Sequence, residues 1–344
     1  MPNFKDQLVL VTGGTGLVGS HLLFQLLKSN IPIRSIYRNK KTLTRVKHVF
    51  SYFSDNAEVL FNKIEWVEAD LNNVPKLSDA FKDVTHVYHC AAYISFEPNK
   101  YNTLRKVNIE GTANIVNLCI SHQIKKLCYV SSVATVGHHS DPEKLINEQT
   151  DWNPEDDNSV YAITKYGAEL EVWRGTQEGL NAVIVNPGII LGAGYWNEGG
   201  SGSLFKRIFK GMRYYTNGIT GYIDVWDVVN AMEQLMNSNI KNEGFILVSE
   251  NLSFKTLQIK TAKALDVKPP TKEAKPWLLE IAWRLDWLNH KILGRPRNLS
   301  KQNAKSAVRI SKFDASKLIK ALDFKFKPIN DSIEEVSQLY LKDL

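Results

Sequence analysis

The chain has 344 residues, of which 43% are hydrophobic and 23% charged, as in an ordinary soluble globular protein. Its length predicts about two domains, and a chain of this size can fold without disulfides or a structural metal. The formal net charge is +7. The lysines and arginines are scattered and form no basic block, which argues against nucleic acid and indicates a preference for an anionic ligand.

The three cysteines, Cys90, Cys119 and Cys128, form no CxxC pair and predict reduced thiols in a cytoplasmic protein. No apolar leader follows the N-terminal methionine, and no stretch approaches the ~20 apolar residues of a membrane span. His138 and His139 are adjacent, but no third ligand follows at metal spacing, so we expect no metal site.

The first half of the chain alternates apolar runs with amphipathic stretches. The apolar runs predict strands at 7–12, 33–37, 64–68, 84–90, 126–131 and 182–186. The amphipathic stretches predict helices at 17–29, 42–51, 99–122 and 159–177. This order is typical of an α/β protein with a doubly wound parallel sheet, the Rossmann architecture, in which ligands bind beyond the carboxyl ends of the strands.

The alternation stops at Asn186-Pro187-Gly188. Residues 188–221 are rich in glycine and aromatic side chains, 222–236 predicts a helix, and 244–248 predicts one more strand. The chain after 251 is helical and rich in lysine, tryptophan and leucine. We therefore expect a nucleotide-binding domain of 1–187 plus 222–250, and a smaller substrate-binding part of 188–221 plus 251–344.

A glycine-rich turn separates the first predicted strand from the first helix. It reads Thr12-Gly13-Gly14-Thr15-Gly16-Leu17-Val18-Gly19. In this context Gly13 permits the tight turn, Gly16 lets the backbone approach a pyrophosphate, and Gly19 lets the helix pack close to the strand. The N–H groups and dipole of the helix then hold the anion, so this segment predicts a dinucleotide site.

The second strand ends on Arg38, where an NAD-binding protein carries an acidic residue for the ribose 2′-hydroxyl. A guanidinium there can hold a 2′-phosphate, and Lys40 or Lys41 can add charge. The sequence favours NADP. NAD remains the alternative, with Arg38 stacked on adenine or facing solvent.

Tyr161 and Lys165 lie four residues apart on a predicted helix and therefore share one face. A phenol with a pKa near 10 is a poor acid–base group at neutral pH. A fixed ammonium and the positive nicotinamide nearby favour the phenolate and lower that pKa. Lys165 can also hydrogen-bond the ribose of the nicotinamide. The pair predicts proton transfer coupled to hydride transfer.

The glycine spacing and the Tyr-x-x-x-Lys pair together resemble the extended short-chain dehydrogenase/reductase family, within the NAD-dependent epimerase/dehydratase superfamily. The resemblance spans about residues 6–250 and is closest to reductases of the dihydroflavonol-4-reductase type. It implies further site residues. These are Asp70 and Leu71 at the adenine, Ala91 and Ala92 beneath the cofactor, Ser132 (with Ser131 as the fallback) at the substrate oxygen, and Pro187 and Gly188 beside the nicotinamide. It also implies a supporting role for Asn108, bracing roles for Asp224 and Asp227, and a homodimer through the two long helices.

Three functions fit these motifs. The first is a reductase or dehydrogenase acting on a largely apolar small molecule. The second is a nucleotide-sugar epimerase, and the third is a non-catalytic cofactor-binding module. We favour the first, because Tyr161 and Lys165 are both present and residues 188–221 are rich in aromatic side chains that suit an apolar substrate, among them Tyr195, Trp196, Phe205, Tyr214 and Tyr215. Four basic residues in the same region suit a diphosphate instead: Lys206, Arg207, Lys210 and Arg213.

A tryptophan-rich amphipathic stretch at 276–293 contains Trp277, Trp283 and Trp287. We expect this helix to close the substrate pocket or to pack on the domain. A helix lying on a membrane surface is the alternative.

Overall fold

A central sheet of seven parallel strands organises the computed structural model, which describes residues 7–197, 200–294, 297 and 299–344. The strands are β1 Leu8–Thr12, β2 Ile33–Tyr37, β3 Glu65–Glu68, β4 Val84–His89, β5 Lys126–Val130, β6 Ala182–Pro187, β7 Ile189–Leu191, β8 Tyr214–Tyr215, β9 Ile219–Asp224, β10 Glu243–Leu247, β11 Glu250–Ser253 and β12 Lys272–Glu273. The order in the central sheet is β3-β2-β1-β4-β5-β6-β10. The order reverses between β1 and β4, and this point of reversal is where a doubly wound sheet binds its ligand.

The central strands are buried on both faces, as their continuous apolar sequences predict. In β1, Val9 and Val11 pack into the core on one face, whereas Leu10 packs into the core on the other. In β6, Val183 packs into the core that contains Val9 and Val11, and Ile184 packs into the core that contains Leu10. Alternating side chains thus fill two separate cores, which confirms the predicted doubly wound α/β fold.

The helices cover both faces of this sheet and extend into the C-terminal part. They are α1 Leu17–Lys28, α2 Leu43–Ser51, α3 Ala57–Asn62, α4 Val74–Ala80, α5 Tyr101–Leu104, α6 Gly111–Ser121, α7 Val160–Gln177, α8 Gly200–Phe209, α9 Val225–Asn237, α10 Phe254–Ala264, α11 Pro276–Leu293, α12 Lys301–Ser306, α13 Ser316–Leu322 and α14 Ile329–Lys342. The helix predicted at 99–122 is α5 and α6 joined by a π-helical turn, Arg105–Glu110. Within the described residues, no helix has the length and apolarity needed to cross a membrane.

The helix predicted at 222–236 begins later in the structure, at Val225. Residues 222–224 end strand β9 and do not open the helix predicted at 222–236. The Asp224 carboxylate accepts a hydrogen bond from the backbone N–H of Trp226 at 2.7 Å, so Asp224 is the N-cap of α9. The short helices α3 and α4 were not predicted, because each spans fewer than two full turns of apolar periodicity.

A second sheet lies beyond β6 and contains β7, β9 and β11. Strand β7 runs parallel to β9, and β11 runs antiparallel to it. Lys327 ties this region to α9: its Nζ is 3.4 Å from a carboxylate oxygen of Asp224, and its backbone N–H donates to Asp227 at 2.8 Å. Division of the chain at 187, 222 and 250 stays a prediction.

Candidate active site

The glycine turn connects β1 directly to α1, and its glycines are required by close approaches of the backbone. Gly13 has a φ of +70°, and a Cβ there would lie 2.5 Å from the backbone nitrogen of Ala91. A Cβ at Gly19 would overlap the Gly13 carbonyl oxygen. A Cβ at Gly16 would have only that oxygen within 4 Å, at 3.4 Å, so Gly16 leaves an open cradle at the first turn of the helix. The cradle suits an anionic pyrophosphate.

A cavity of about 280 Å³ begins at this turn and runs over the ends of β2 and β3. It brings together seven of the residues predicted to bind the cofactor: Gly13, Gly16, Arg38, Asp70, Leu71, Ala91 and Ala92. Four others, Thr12, Leu17, Val18 and Gly19, belong to the same strand–turn–helix connection without lining the cavity. Its lining has the size and chemistry of a mononucleotide half-site.

Two guanidinium groups lie at the far end of this cavity. Arg38 is 62% exposed, and its Nη1 lies 3.7 Å from the Asp70 carboxylate. Arg45, on α2, lines the same cavity. The sequence did not lead us to Arg45, although a basic residue in the first turn of the helix after the second strand could have indicated a contact with a phosphate. Two cations that face one pocket favour an anion of high charge.

Pro187 and Gly188 lie where β6 ends, next to the second sheet. Pro187 is buried as the last residue of β6, and a Cβ at Gly188 would overlap the carbonyl oxygen of Gly221 in β9. Gly188 therefore allows the two sheets to approach closely at the edge where the carboxyl ends of the central strands meet.

Tyr161 lies in the first turn of α7, which is capped by the hydroxyl of Ser159 accepting from the backbone N–H of Ala162 at 3.1 Å. Ser132 follows β5 and lies near enough to the Tyr161 hydroxyl to influence its pKa. Burial raises the pKa of Tyr161, and Ser132 opposes this shift. The two groups therefore lie near each other in an environment that keeps the phenol protonated, and their catalytic roles stay a prediction.

Lys165 is buried on the next turn of α7, but it contacts a tyrosine that the sequence did not single out. Its Nζ donates to the Tyr129 hydroxyl at 2.6 Å and to the Val130 carbonyl oxygen at 2.8 Å. Burial lowers the pKa of Lys165 to about 7, and Glu169 opposes this shift. The expectation of an ammonium placed beside the Tyr161 oxygen thus needs a correction: the β5 backbone and Tyr129 hold the Nζ instead.

Tyr129 is one end of a buried chain of polar groups. Thr112 lies near Tyr129 and opposes the rise that burial causes in the pKa of Tyr129, and the Thr112 hydroxyl lies 3.0 Å from Nε2 of His89. Nδ1 of His89 in turn lies 2.6 Å from the hydroxyl of Thr12, at the start of the glycine turn. Burial, with the nearby Lys165 charge, lowers the pKa of His89 to about 3, so its ring is neutral. The candidate active site and the phosphate turn are thus joined by one buried row of polar groups.

Ser131, the fallback for Ser132, is turned away from Tyr161. Its hydroxyl donates to a carboxylate oxygen of Glu169 at 2.6 Å. The same oxygen accepts from Thr135 at 2.8 Å and from the Asn186 amide at 2.9 Å. Glu169 therefore ties the end of β5 to β6 and α7, which leaves Ser132 as the serine beside Tyr161.

Asn108 braces the loop after β4, as the family resemblance implied. Its side-chain oxygen accepts from the backbone N–H of Tyr93 at 2.8 Å. Its amide donates to the Tyr93 carbonyl oxygen at 3.0 Å and to the Thr164 hydroxyl at 3.3 Å. The loop beneath the cofactor cavity is thereby fixed to α7.

A second cavity, of about 220 Å³, is lined by Val133 and Ala162, which directly follow Ser132 and Tyr161 in the chain, although Ser132 and Tyr161 do not line it themselves. Eight of its lining residues are apolar and come from seven separate segments: Phe96, Val133, Ala134, Ala162, Ile189, Ile219, Phe254 and Phe313. The Phe96 ring lies 5.4 Å from the Tyr161 ring. His138, Asp157, Lys305 and Arg309 form the polar end of the cavity.

The aromatic residues of 188–221 do not form this wall, so that part of the substrate prediction is wrong. Tyr195, Trp196 and Phe205 are buried in the core, where Trp196 packs edge-on against Tyr340 at 5.0 Å. Aromatic rings suit a core as well as a pocket, and sequence composition does not separate the two. The basic residues of 206–213 do not line the cavity either. Among the described residues, no three His, Cys, Asp or Glu side chains converge as a metal site.

Comparison with known proteins assigns the chain to a family. The pattern of the NAD dependent epimerase/dehydratase family matches residues 9–246. The chain belongs to this family. Its members and relatives are NAD(P)-dependent enzymes that act on carbonyl or hydroxyl groups, and a nicotinamide cofactor follows for this chain.

The curated relatives include several reductases. A Synechocystis protein provisionally named as a dihydroflavonol 4-reductase is 27% identical over 334 residues, covering 94% of this chain and 92% of its own. Tetraketide alpha-pyrone reductase 2 of Arabidopsis thaliana is 27% identical, covering 71% and 78%. Sterol demethylase protein B of Methylococcus capsulatus is 26% identical, covering 70% of each chain.

Solved structures share the fold over nearly the whole chain. The crystal structure of gox2253 has a TM-score of 0.81 at 24% identity, covering 98% of this chain and 99% of its own. The UDP-glucose 4-epimerase of Thermotoga maritima has a TM-score of 0.75 at 19% identity, with the same coverage. These likenesses support the Rossmann-type fold and carry no information about the substrate.

Proposed function

We propose that this protein is an NADPH-dependent reductase of a ketone or aldehyde on a largely apolar small molecule, or a dehydrogenase of the corresponding alcohol. The observation that carries the proposal is the cavity that adjoins Ser132 and Tyr161, because the lining residues next to these two groups, Phe96, Val133 and Ala162, are apolar. Burial of apolar substrate surface there contributes about 25 cal/mol per Å².

The Ser132–Tyr161 pair supplies the proton for such a reduction. A bound nicotinamide supplies the hydride that the carbonyl carbon receives. Ser132 donates a hydrogen bond to the carbonyl oxygen and polarises it, and Tyr161 donates the proton that this oxygen gains. Because burial keeps the pKa of Tyr161 raised, the phenol is protonated before the reaction and available as an acid.

Lys165 has a supporting role in this proposal, because it binds the cofactor and does not transfer the proton. Its ammonium would hold the ribose hydroxyls of the nicotinamide end while the Tyr129 hydroxyl and the Val130 carbonyl fix its position. The positive charge also favours the Tyr161 phenolate that remains after proton donation. In this proposal Ser132 and Tyr161 contact the substrate carbonyl, whereas Tyr129 and Val130 hold the Lys165 ammonium.

Two arginines support NADP over NAD. Arg38 and Arg45 both line the adenine end of the first cavity, where a 2′-phosphate would lie. Of the described residues that line this cavity, Asp70 is the one acidic residue. Its carboxylate lies 3.7 Å from Arg38, so a phosphate can compete with Asp70 for the guanidinium. Charge-assisted hydrogen bonds to a phosphate contribute about 1.5–3 kcal/mol each.

A nucleotide-sugar epimerase is the second candidate, and one observation favours it. Arg309 and Lys305 lie at the polar end of the substrate cavity, where they suit a diphosphate. Lys305 already forms an ion pair with Asp157, which reduces the positive charge available to a ligand. The apolar wall nearer Tyr161 favours the reductase.

We also propose the division into nucleotide-binding and substrate-binding parts given above, a homodimer, and a cytoplasmic location. Cys90, Cys119 and Cys128 are free, as a reducing compartment requires. Two exposed apolar side chains, Ile163 and Leu170, lie two turns apart on α7 and support a dimer through the long helices.

A panel of carbonyl compounds tests the function. NADPH consumption should be fastest with hydrophobic or aromatic ketones and aldehydes, and the specificity constant should rise up to about tenfold per added methylene. A nucleotide sugar measured at low and high ionic strength is the control. Turnover of that sugar alone, lost as salt increases, would establish the epimerase in place of the reductase.

A further inference from the structure

Helix α11 presents a long apolar surface that no described residue covers. Trp277, Ile281, Leu285, Leu288 and Ile292 recur at helical spacing on one side, and we call them the outer face. Their exposure reaches 62% at Trp277 and 68% at Ile292. The face extends roughly 22 Å along the helix at 1.5 Å per residue. An apolar patch of this extent marks a site of interaction with a protein or a membrane.

The opposite side of α11 anchors the helix to the protein. Leu279 and Trp283 pack against Ala304 and its neighbours on α12. Asp286 forms an ion pair with Arg297, which also binds Glu97 at 2.9 Å. These contacts fix the orientation of α11, so the outer face stays directed away from the protein.

The charges along α11 distinguish between the two kinds of partner. Its two acids are neutralised within the protein, Glu280 by Arg284 and Asp286 by Arg297. Lys291, by contrast, forms no ion pair with the described residues and lies 5.1 Å from the centre of the Trp287 ring. An apolar face bordered by tryptophan and a free cation has the chemistry that binds the headgroup region of an anionic bilayer.

We propose that the outer face of α11 docks on the surface of a membrane containing anionic phospholipids. Helix α11 packs on α12, and α12 contributes Gln302, Lys305 and Ser306 to the cavity beside Tyr161. Docking brings that cavity within a helix thickness of the lipid, where an apolar substrate accumulates. The link to the substrate rests on the proposed function, whereas the docking does not.

Vesicle co-sedimentation of the full chain tests this proposal. The wild type should pellet with vesicles of phosphatidylcholine and phosphatidylglycerol and bind pure phosphatidylcholine more weakly. Ile281→Asp with Leu285→Asp should reduce the partition coefficient at least about tenfold. Lys291→Ala should reduce it about fivefold on the anionic vesicles only. Val59→Asp, which places one carboxylate at an exposed apolar position on α3, is the control for an added negative charge and should bind like the wild type.

The outcomes separate docking from its alternatives. A wild type that stays in the supernatant, or a double variant that binds as the wild type does, overturns the proposal. So does a gel-filtration shift from dimer to monomer in the double variant without vesicle binding by the wild type, because a second copy would then cover the face. If NADPH binding shows that the double variant is misfolded, Lys291→Ala alone decides. Turnover of a water-soluble aldehyde without vesicles reports separately on the proposed function.

Discussion

The ammonium of Lys165 lies 2.6 Å from the hydroxyl of Tyr129, a residue that sits inside the central sheet. The contact joins the candidate active site to the buried chain through Thr112 and His89 to Thr12. Neither Tyr129 nor Lys165 lines the two cavities, and we expect Tyr129 to affect the cofactor only through its contact with Lys165.

Replacement of Tyr129 by Phe should therefore weaken cofactor binding without removing activity. Loss of one hydrogen bond of about 0.5–1.5 kcal/mol corresponds to a roughly 2- to 10-fold higher Kd for NADPH. The protonated form of Lys165 loses an acceptor, so its pKa should fall and the pH dependence of binding should move to lower pH. Fluorescence titrations of NADPH over a range of pH measure both effects.

Tyr222→Phe is the matched control for this variant. Tyr222 is equally buried, and its hydroxyl has no hydrogen-bond partner among the described residues. Its removal should leave the Kd and the pH profile unchanged. Equal effects of the two variants would show that Tyr129 contributes only to packing.

Cofactor choice should depend on the two arginines of the adenine end. Arg38→Asp should raise the Kd for NADPH by about 10- to 100-fold and leave NADH binding nearly unchanged, because only the 2′-phosphate is lost as a partner. Arg45→Ala should act in the same direction with a smaller effect. Lys263→Asp, which changes a charge at an exposed position on α10 that does not line the cavity, is the control. Equal affinities of the wild type for NADPH and NADH would exclude NADP specificity.

Proton donation should depend on Tyr161. Tyr161→Phe should lower kcat by about 10²–10⁴-fold and leave the Kd for NADPH unchanged, because it removes only the transferable proton. Ser132→Ala should lower kcat about 10²-fold, as loss of one polarising donor does. Tyr166→Phe on the same helix is the control, since that ring stacks on Trp152 away from the cavities. Near-normal kcat in Tyr161→Phe would assign the proton to another group.

The nucleotide half of the site could be predicted because its signals are local. The strand, the turn and the helix from Leu8 to Lys28 are consecutive in sequence, and the positive φ of Gly13 and the close approach of Gly19 to the Gly13 carbonyl both arise within that segment. Arg38 is similarly placed by the end of a strand. Such features depend on the backbone path of one segment, and short-range patterns determine that path.

The framework around Lys165 could not be predicted, because it joins residues far apart in the chain. Thr12, His89, Thr112 and Tyr129 come from four separate elements and meet only in the assembled sheet. The same reason explains the error about Tyr195, Trp196 and Phe205. Whether an aromatic ring fills a core or lines a cavity depends on what packs over it, which no periodicity reveals.

The proposed dimer should depend on α7. Leu170 is 48% exposed and Ile163 40% exposed on that helix. Leu170→Asp would bury a carboxylate in the proposed interface, so the variant should elute as a monomer in gel filtration while the wild type elutes as a dimer. Val59→Asp on α3 controls for the added charge. A wild type that is monomeric at micromolar concentration would contradict the proposal.

Burial of the Lys165 ammonium should lower the free energy of unfolding by an amount that depends on pH. Its folded-state pKa of about 7 lies below the ordinary lysine value of 10.5 because burial disfavours the ammonium. The unfolded chain therefore binds more protons between these two values, and the free energy of unfolding should rise with pH across that window. The penalty is fully present below pH 7 and disappears above about pH 10.5, where both states are neutral. Lys165→Met, which keeps the shape without the charge, should be more stable than the wild type at pH 6 by about 1–4 kcal/mol.

Urea unfolding of the wild type and of Lys165→Met at several pH values measures this difference. The gain should shrink steadily as the pH approaches 10, because the wild type loses its penalty and the variant has none to lose. Lys263→Met, at an exposed position on α10, is the control and should show no such trend. If the variant is less stable than the wild type at pH 6, the hydrogen bonds to Tyr129 and Val130 outweigh the cost of burying the charge. Buried Lys165 would then not destabilise the folded protein.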